Sequence, residues 1–174
     1  MNWLRRLGDR YLTTSLRHRS FAPNEQIKSK QVAVLFSANS LPDQQEALHF
    51  CALFKDLIGL QPCPLGFLNR KLDASVSFSF PHYSLSDLNL LSKPFNSKID
   101  LFLQRPYYAV INLDRHNVIS LHYLNHLLAA NHKLAIHPVL PRLYDIVIDP
   151  EQELTSVQIH GQILDIFKKI RLEQ

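Results

Sequence analysis

Residues 32–36, Val32-Ala33-Val34-Leu35-Phe36, form an unbroken apolar run with no polar alternation. A strand wetted on one face alternates. A run this uniform is the signature of an interior strand of a parallel sheet, covered by helices on both sides. The next residues agree. After a loop at 37–41, a helix begins at Pro42 or Asp43 and runs to Ile58. Its inner face is Ala47, Leu48, Cys51, Phe54, Leu57 and Ile58, and Gly59 stands where a left-handed C-terminal cap wants glycine. Strand, loop and helix in this order open a βαβ crossover.

The rest of the chain repeats the alternation. A second strand falls within residues 63–68, irregular because of Pro62, Pro64 and Gly66. A third is expected at residues 76–80, with Val76, Phe78 and Phe80 facing one way and Ser75, Ser77 and Ser79 the other. Residues 82–96 read as loop, and Ser97 caps a short helix to about Gln104, stopped by Pro106. Strands follow at 107–113, 134–136 and 144–148, with helices at 117–131 and 157–172. The fold class is therefore α/β, three-layered, with a mostly parallel sheet of flavodoxin-like or Rossmann-like type. Strand order is not readable.

A separate segment precedes this domain. Trp3, Leu4, Leu7 and Tyr11 follow the spacing of one apolar stripe, which predicts an amphipathic helix to about Arg19. A linker through residue 30 follows, so the chain divides into 1–30 and a single α/β domain at 31–174. Residues 1–30 carry Arg5, Arg6, Arg10, Arg17, Arg19, Lys28 and Lys30 against Asp9 and Glu25, a net +5 within a total of +4. The remaining 144 residues sum to −1. Basicity belongs to the arm.

The composition excludes several classes. A chain of 174 residues with 46% hydrophobic and 20% charged residues can bury a core. Cys51 and Cys63 form no CxxC pair, which argues against a disulfide scaffold or a cysteine zinc site. No stretch approaches the roughly 20 apolar residues of a membrane span. Gly8, Asp9 and Arg10 interrupt any signal-peptide core, so a cytoplasmic location is expected.

Motifs that would fix a chemistry are missing. The chain has four glycines, none in the loop after the first strand, and neither GxGxxG nor GxxxxGK[ST] occurs. GxSxG is absent too, and both thiols read as packed. His122 and His126 stand four apart on one helix, the spacing of two metal ligands, but without the glutamate of HExxH or a third ligand. They read, with Asn125, as the wet strip of a helix whose other residues are apolar. Neither a metal site nor a cofactor nor a catalytic residue is assigned.

Two candidate surfaces remain. Ser37 and Asn39 follow the first strand, while Asn112, Asp114 and Arg115 end or follow the 107–113 strand. If these strands are neighbours, the five side chains converge at the crevice where such sheets bind small molecules or run reactions. The alternative is that they only cap turns. The other surface is the arm, where Arg5, Arg6, Arg10, Arg17 and Arg19 with Trp3 and Tyr11 suit RNA or a ribonucleoprotein, phosphates meeting guanidiniums and bases meeting rings. A membrane surface or an acidic protein would use the same residues less well, and a helix packed on its own domain is the plain alternative. The leading expectation is a non-enzymatic adaptor for an anionic partner.

Three segments occur together: residues 85–94 (LSDLNLLSKP), 108–113 (YAVINL) and 142–148 (RLYDIVI). With the basic N-terminal helix and the first strand near residue 32, they give a chain that resembles an uncharacterised family of Bacteroidetes proteins known only as a domain of unknown function. Where that family's pattern suggests a Lys/Arg-Val-Gly strand, this chain has Lys133-Leu134-Ala135-Ile136-His137-Pro138. The resemblance implies a bacterial cytoplasmic protein and brings no activity or site residues with it.

Overall fold

The computed structural model describes residues 2–17, 26–71, 77–136, 138–148 and 154–172, with side chains from residue 6 to residue 171. The apolar run becomes β1 (Gln31–Ser37), with every residue from Val32 to Ser37 buried. It pairs in parallel with β2 (Gln61–Leu68) on one side and β4 (Tyr107–Asn112) on the other. β3 (His82–Ser84), β5 (Ala130–Ile136) and β6 (Ile146–Ile148) complete a six-stranded, all-parallel sheet of order β3-β2-β1-β4-β5-β6.

Successive β1 side chains feed two cores. Val32 and Val34 meet Phe50, Phe54 and Ile58 of α2 (Leu41–Ile58) and Ile159, Ile163 and Phe167 of α5 (Ser156–Leu172). Ala33 and Leu35 meet Ile99 and Phe102 of α3 (Ser97–Leu103) and Leu121 and Leu124 of α4 (Ile119–Leu127). The result is the three-layered α/β arrangement that the alternation of elements implies.

Local chemistry sets the ends of α2. Ser40 is its N-cap and exchanges hydrogen bonds with Asp43 in a capping box. Gly59 adopts φ 74° and donates its N–H to the Lys55 carbonyl at 2.9 Å. Pro62 and Pro64 are tolerated in β2 because β3 pairs only from Gly66 onward, leaving the first half of β2 an edge.

Four expectations need correction. The third strand is not at 76–80; residues 77–80 are irregular, residues 72–76 lie outside the described ones, and pairing begins after Pro81, whose carbonyl accepts the Gly66 N–H. The Phe78–Phe80 alternation reflects packing of Phe80 on Phe36, with ring centroids 5.1 Å apart, rather than a ladder. α4 stops at Leu127 and β5 starts at Ala130, because Leu128 turns extended and Ala130 takes its place beside Tyr107. Third, His122 and Asn125 are not a wet strip: they are 1% and 0% exposed. The fourth concerns the N-terminal helix.

That helix, α1 (Asn2–Arg17), lies on the same side of the sheet as α4. Its buried stripe is Gly8, Leu12 and Leu16, packed with Leu140, Leu143, Tyr144 and Ala135, while Leu7 and Tyr11 are 51% and 56% exposed. The expected stripe through Leu7 and Tyr11 thus faces outward. Trp3 and Leu4 lie outside the described side chains. Backbone contact decides the rotation: a β-carbon at Gly8 would run into the Leu90 carbonyl oxygen. At an exposed helical site Gly→Ala gains about 1 kcal/mol. Gly8→Ala is instead expected to lose about 1–2 kcal/mol by urea denaturation, since overpacking costs roughly 1–3 kcal/mol.

Candidate functional site

In an open α/β sheet the crevice for ligands forms where the strand order reverses, between neighbouring strands whose connections leave to opposite faces. Here that point lies between β1 and β4: α2 follows β1 on one face and α4 follows β4 on the other. Ser37, Asp114 and Arg115 come together there and wall one cleft with Asp43, Glu46 and His116. Its volume is about 40 Å³, room for a few waters rather than a nucleotide.

The cleft's polar groups mostly serve the protein itself. Arg115 donates from Nη2 to Glu46 at 3.2 Å and to the Ser156 hydroxyl at 3.0 Å, tying α2 to the start of α5. His160 of α5 faces the same Glu46 at 3.6 Å. Burial pushes the Asp114 carboxyl up, against the backbone N–H groups of Val118 and His116, which it accepts at 2.6 and 3.1 Å. At the start of α2, where a Rossmann-type domain would offer N–H groups to a pyrophosphate, Asp43 closes the capping box. A carboxylate there and no glycine in the preceding loop leave nothing to cradle a phosphate.

Asn39 and Asn112 do not join that cleft. Asn39 donates to the Ser37 hydroxyl at 2.7 Å and accepts the Asn69 N–H at 2.6 Å, which fixes the loop after β1. Asn112 accepts the Asp114 N–H at 3.1 Å and donates to the Tyr144 hydroxyl at 2.9 Å. The same hydroxyl shares a second hydrogen bond with His122 Nδ1, 2.6 Å away. His122 has no partner among the described residues at its other ring nitrogen, Nε2. Burial depresses its pKa to about 4.

This buried Asn112–Tyr144–His122 chain carries no periodic signal, because its members come from β4, the loop before β6 and α4. Among the described residues, no group of three or more His, Cys, Asp or Glu side chains has the geometry to hold a metal. Burial raises both thiols, Cys51 to about 12, so neither is an activated nucleophile.

On the arm, Arg6, Arg10 and Arg17 are exposed. With the Gly8, Leu12 and Leu16 stripe held against the domain, these three arginines, Leu7 and Tyr11 occupy the outer side of α1. Arg5 and Arg19 lie outside the described side chains. No described helix is long and apolar enough to cross a membrane.

No curated protein and no solved structure matches the chain. The model of a family of unknown function, DUF6913, matches residues 5–168, from the first arginines of α1 nearly to the end of α5. With almost the whole chain matched, the protein belongs to the DUF6913 family.

Proposed function

We propose that the protein is a non-enzymatic adaptor that binds RNA, alone or in a ribonucleoprotein, through the outer face of α1. The observation that carries this reading is the rotation of the helix. Gly8, Leu12 and Leu16 are spent on the domain, so Arg6, Arg10 and Arg17 stand in solvent on one face, with Tyr11 exposed on the same helix. Guanidiniums on one helix face neutralise successive phosphates, and an exposed ring offers a stacking surface to an unpaired base. Arg5 and Arg19 extend the same basic set in sequence. The rest of the chain, net −1, adds no attraction for polyanions. The switch-point cleft is small and internally paired, which favours a surface function over a reaction there.

The test is a titration of single-stranded RNA against salt. Three phosphate contacts give a slope of about −2 in log affinity against log salt, so raising salt from 50 to 200 mM weakens binding roughly 20-fold. The triple variant R6Q/R10Q/R17Q should flatten that slope, and Tyr11→Ala should weaken binding by about 1–3 kcal/mol at fixed salt. Unchanged RNA affinity in the triple variant would overturn the reading. So would binding to phosphatidylserine vesicles with none to RNA, which would make the partner a membrane surface.

A further inference from the structure

A second, larger cavity, of about 300 Å³, lies between α1, the loop before α3, the start of α4 and the carboxyl end of β2. Its volume equals about ten waters' share of the liquid, at the lower bound for small-molecule sites. It lies toward the carboxyl ends of the strands, where ligands bind in this class of sheet, and shares no lining residue with the switch-point cleft.

Its walls hold polar groups that the protein leaves unused. Ser92 is 2% exposed and lines the cavity, yet its hydroxyl makes no hydrogen bond among the described residues. Ile119 and Ser120, also on the wall, open α4, whose N-cap Val118 has no side chain to offer. Their backbone N–H groups meet no acceptor among the described residues. Asp9, reaching the cavity from α1, is the only ionisable side chain among the described residues of the wall and pairs with none of them. Backbone conformation points to the same place. The two described non-glycine residues with positive φ, Ser92 at 58° and Asn117 at 52°, both line this cavity. Such conformations cluster at ligand sites, where the surroundings hold them.

We infer that this cavity binds a free amino acid with a large apolar side chain. The ammonium group faces the Asp9 carboxylate, and the carboxylate group takes the N–H groups of Ile119 and Ser120 at the positive end of α4. The Ser92 hydroxyl completes the polar contacts, while Phe67 and Val139 receive the side chain. Neither half of such a ligand suffices alone. A plain carboxylate would set a second anion beside Asp9 with no cation among the described residues of the wall, and a plain amine would leave the N–H groups of α4 unpaired. The site does not rest on the RNA reading, which uses the exposed arginines of α1 rather than the residues of the cavity wall.

The test is calorimetric titration of the full-length chain with the common L-amino acids, then with the amine and the acid obtained by removing the carboxylate or the amino group from the best binder. A large apolar amino acid is expected to bind saturably, with both truncated analogues at least tenfold weaker. Asp9→Asn should weaken binding at least tenfold while circular dichroism stays unchanged. Val139→Trp, at a half-exposed wall position, should abolish it by filling the cavity. No binding by any amino acid, an analogue as tight as its parent, or undiminished binding in both variants would overturn the assignment.

Discussion

Lowering the pH from 7 to 4.5 is expected to cost this protein about 2–3 kcal/mol of folding stability, with most of the loss traceable to His122. The imidazole is 1% exposed, and burial holds its pKa at about 4, against an ordinary value of 6.5. Between those values the unfolded chain takes up a proton that the folded protein refuses, so stability is full above 6.5 and falls as the pH drops toward 4. Two pH units of that linkage amount to about 2.7 kcal/mol. His160, also depressed by burial, adds to the loss. Asp114 works the other way: its raised carboxyl is more readily protonated in the folded state and offsets part of the loss near its own titration. Urea denaturation at a series of pH values measures the slope. In His122→Phe the slope between pH 6.5 and 4.5 should be much shallower, whatever the variant's stability at pH 7. Parallel curves for the two proteins would assign the acid sensitivity elsewhere.

The second large effect is expected at Lys133, on β5 and 4% exposed. Its ammonium donates to the Asn125 and His126 carbonyls at 2.7 and 3.3 Å, capping the C-terminal end of α4. Burial lowers its pKa to about 8, with Asp145 pulling the other way. The same Asp145 accepts the Lys133 backbone N–H at 2.8 Å, so the residue is held at both ends. Lys133→Met keeps the apolar stem but leaves buried carbonyls without their charged donor. A loss of about 2–4 kcal/mol in urea denaturation is expected, more than an ordinary neutral hydrogen bond contributes. A variant as stable as the parent would show that the carbonyls find other donors.

Both residues show what a linear reading misses. Lys133 lies where the sequence suggests a helix giving way to a short strand, and nothing local says that its ammonium turns back onto that helix. Helical periodicity puts His122 on a wet strip, since the apolar residues of α4 fill the rest of the circumference. That placement holds for a helix with one covered side. α4 has two, with the sheet under Leu121 and Leu124 and the α1 layer against Ile119 and Tyr123. Polar residues between those sides end up inside and must satisfy one another, as Asn112, Tyr144 and His122 largely do.

The candidate crevice was half legible. Asn and Asp at strand ends mark either a ligand site or a turn, and both outcomes occur within one set of five. Ser37, Asp114 and Arg115 wall the cleft, while Asn39 and Asn112 are spent on loop and core hydrogen bonds. Adjacency of β1 and β4 brings the first three together, and adjacency is a long-range property. The cavity beneath α1 was beyond sequence reasoning, because its wall draws on segments from residue 9 to residue 139.

By itself the sequence determined what depends on neighbours along the chain. β1 follows from an uninterrupted apolar run, α2 from a capping box at Ser40 and Asp43, its end from Gly59, and the layered class from alternating elements. Tertiary structure alone decided the strand order, the buried face of α1 and the interior place of His122. Periodicity shows that a helix has a face but not which element covers it. For α1 that choice was made by a backbone contact at Gly8, a residue with no side chain to announce it.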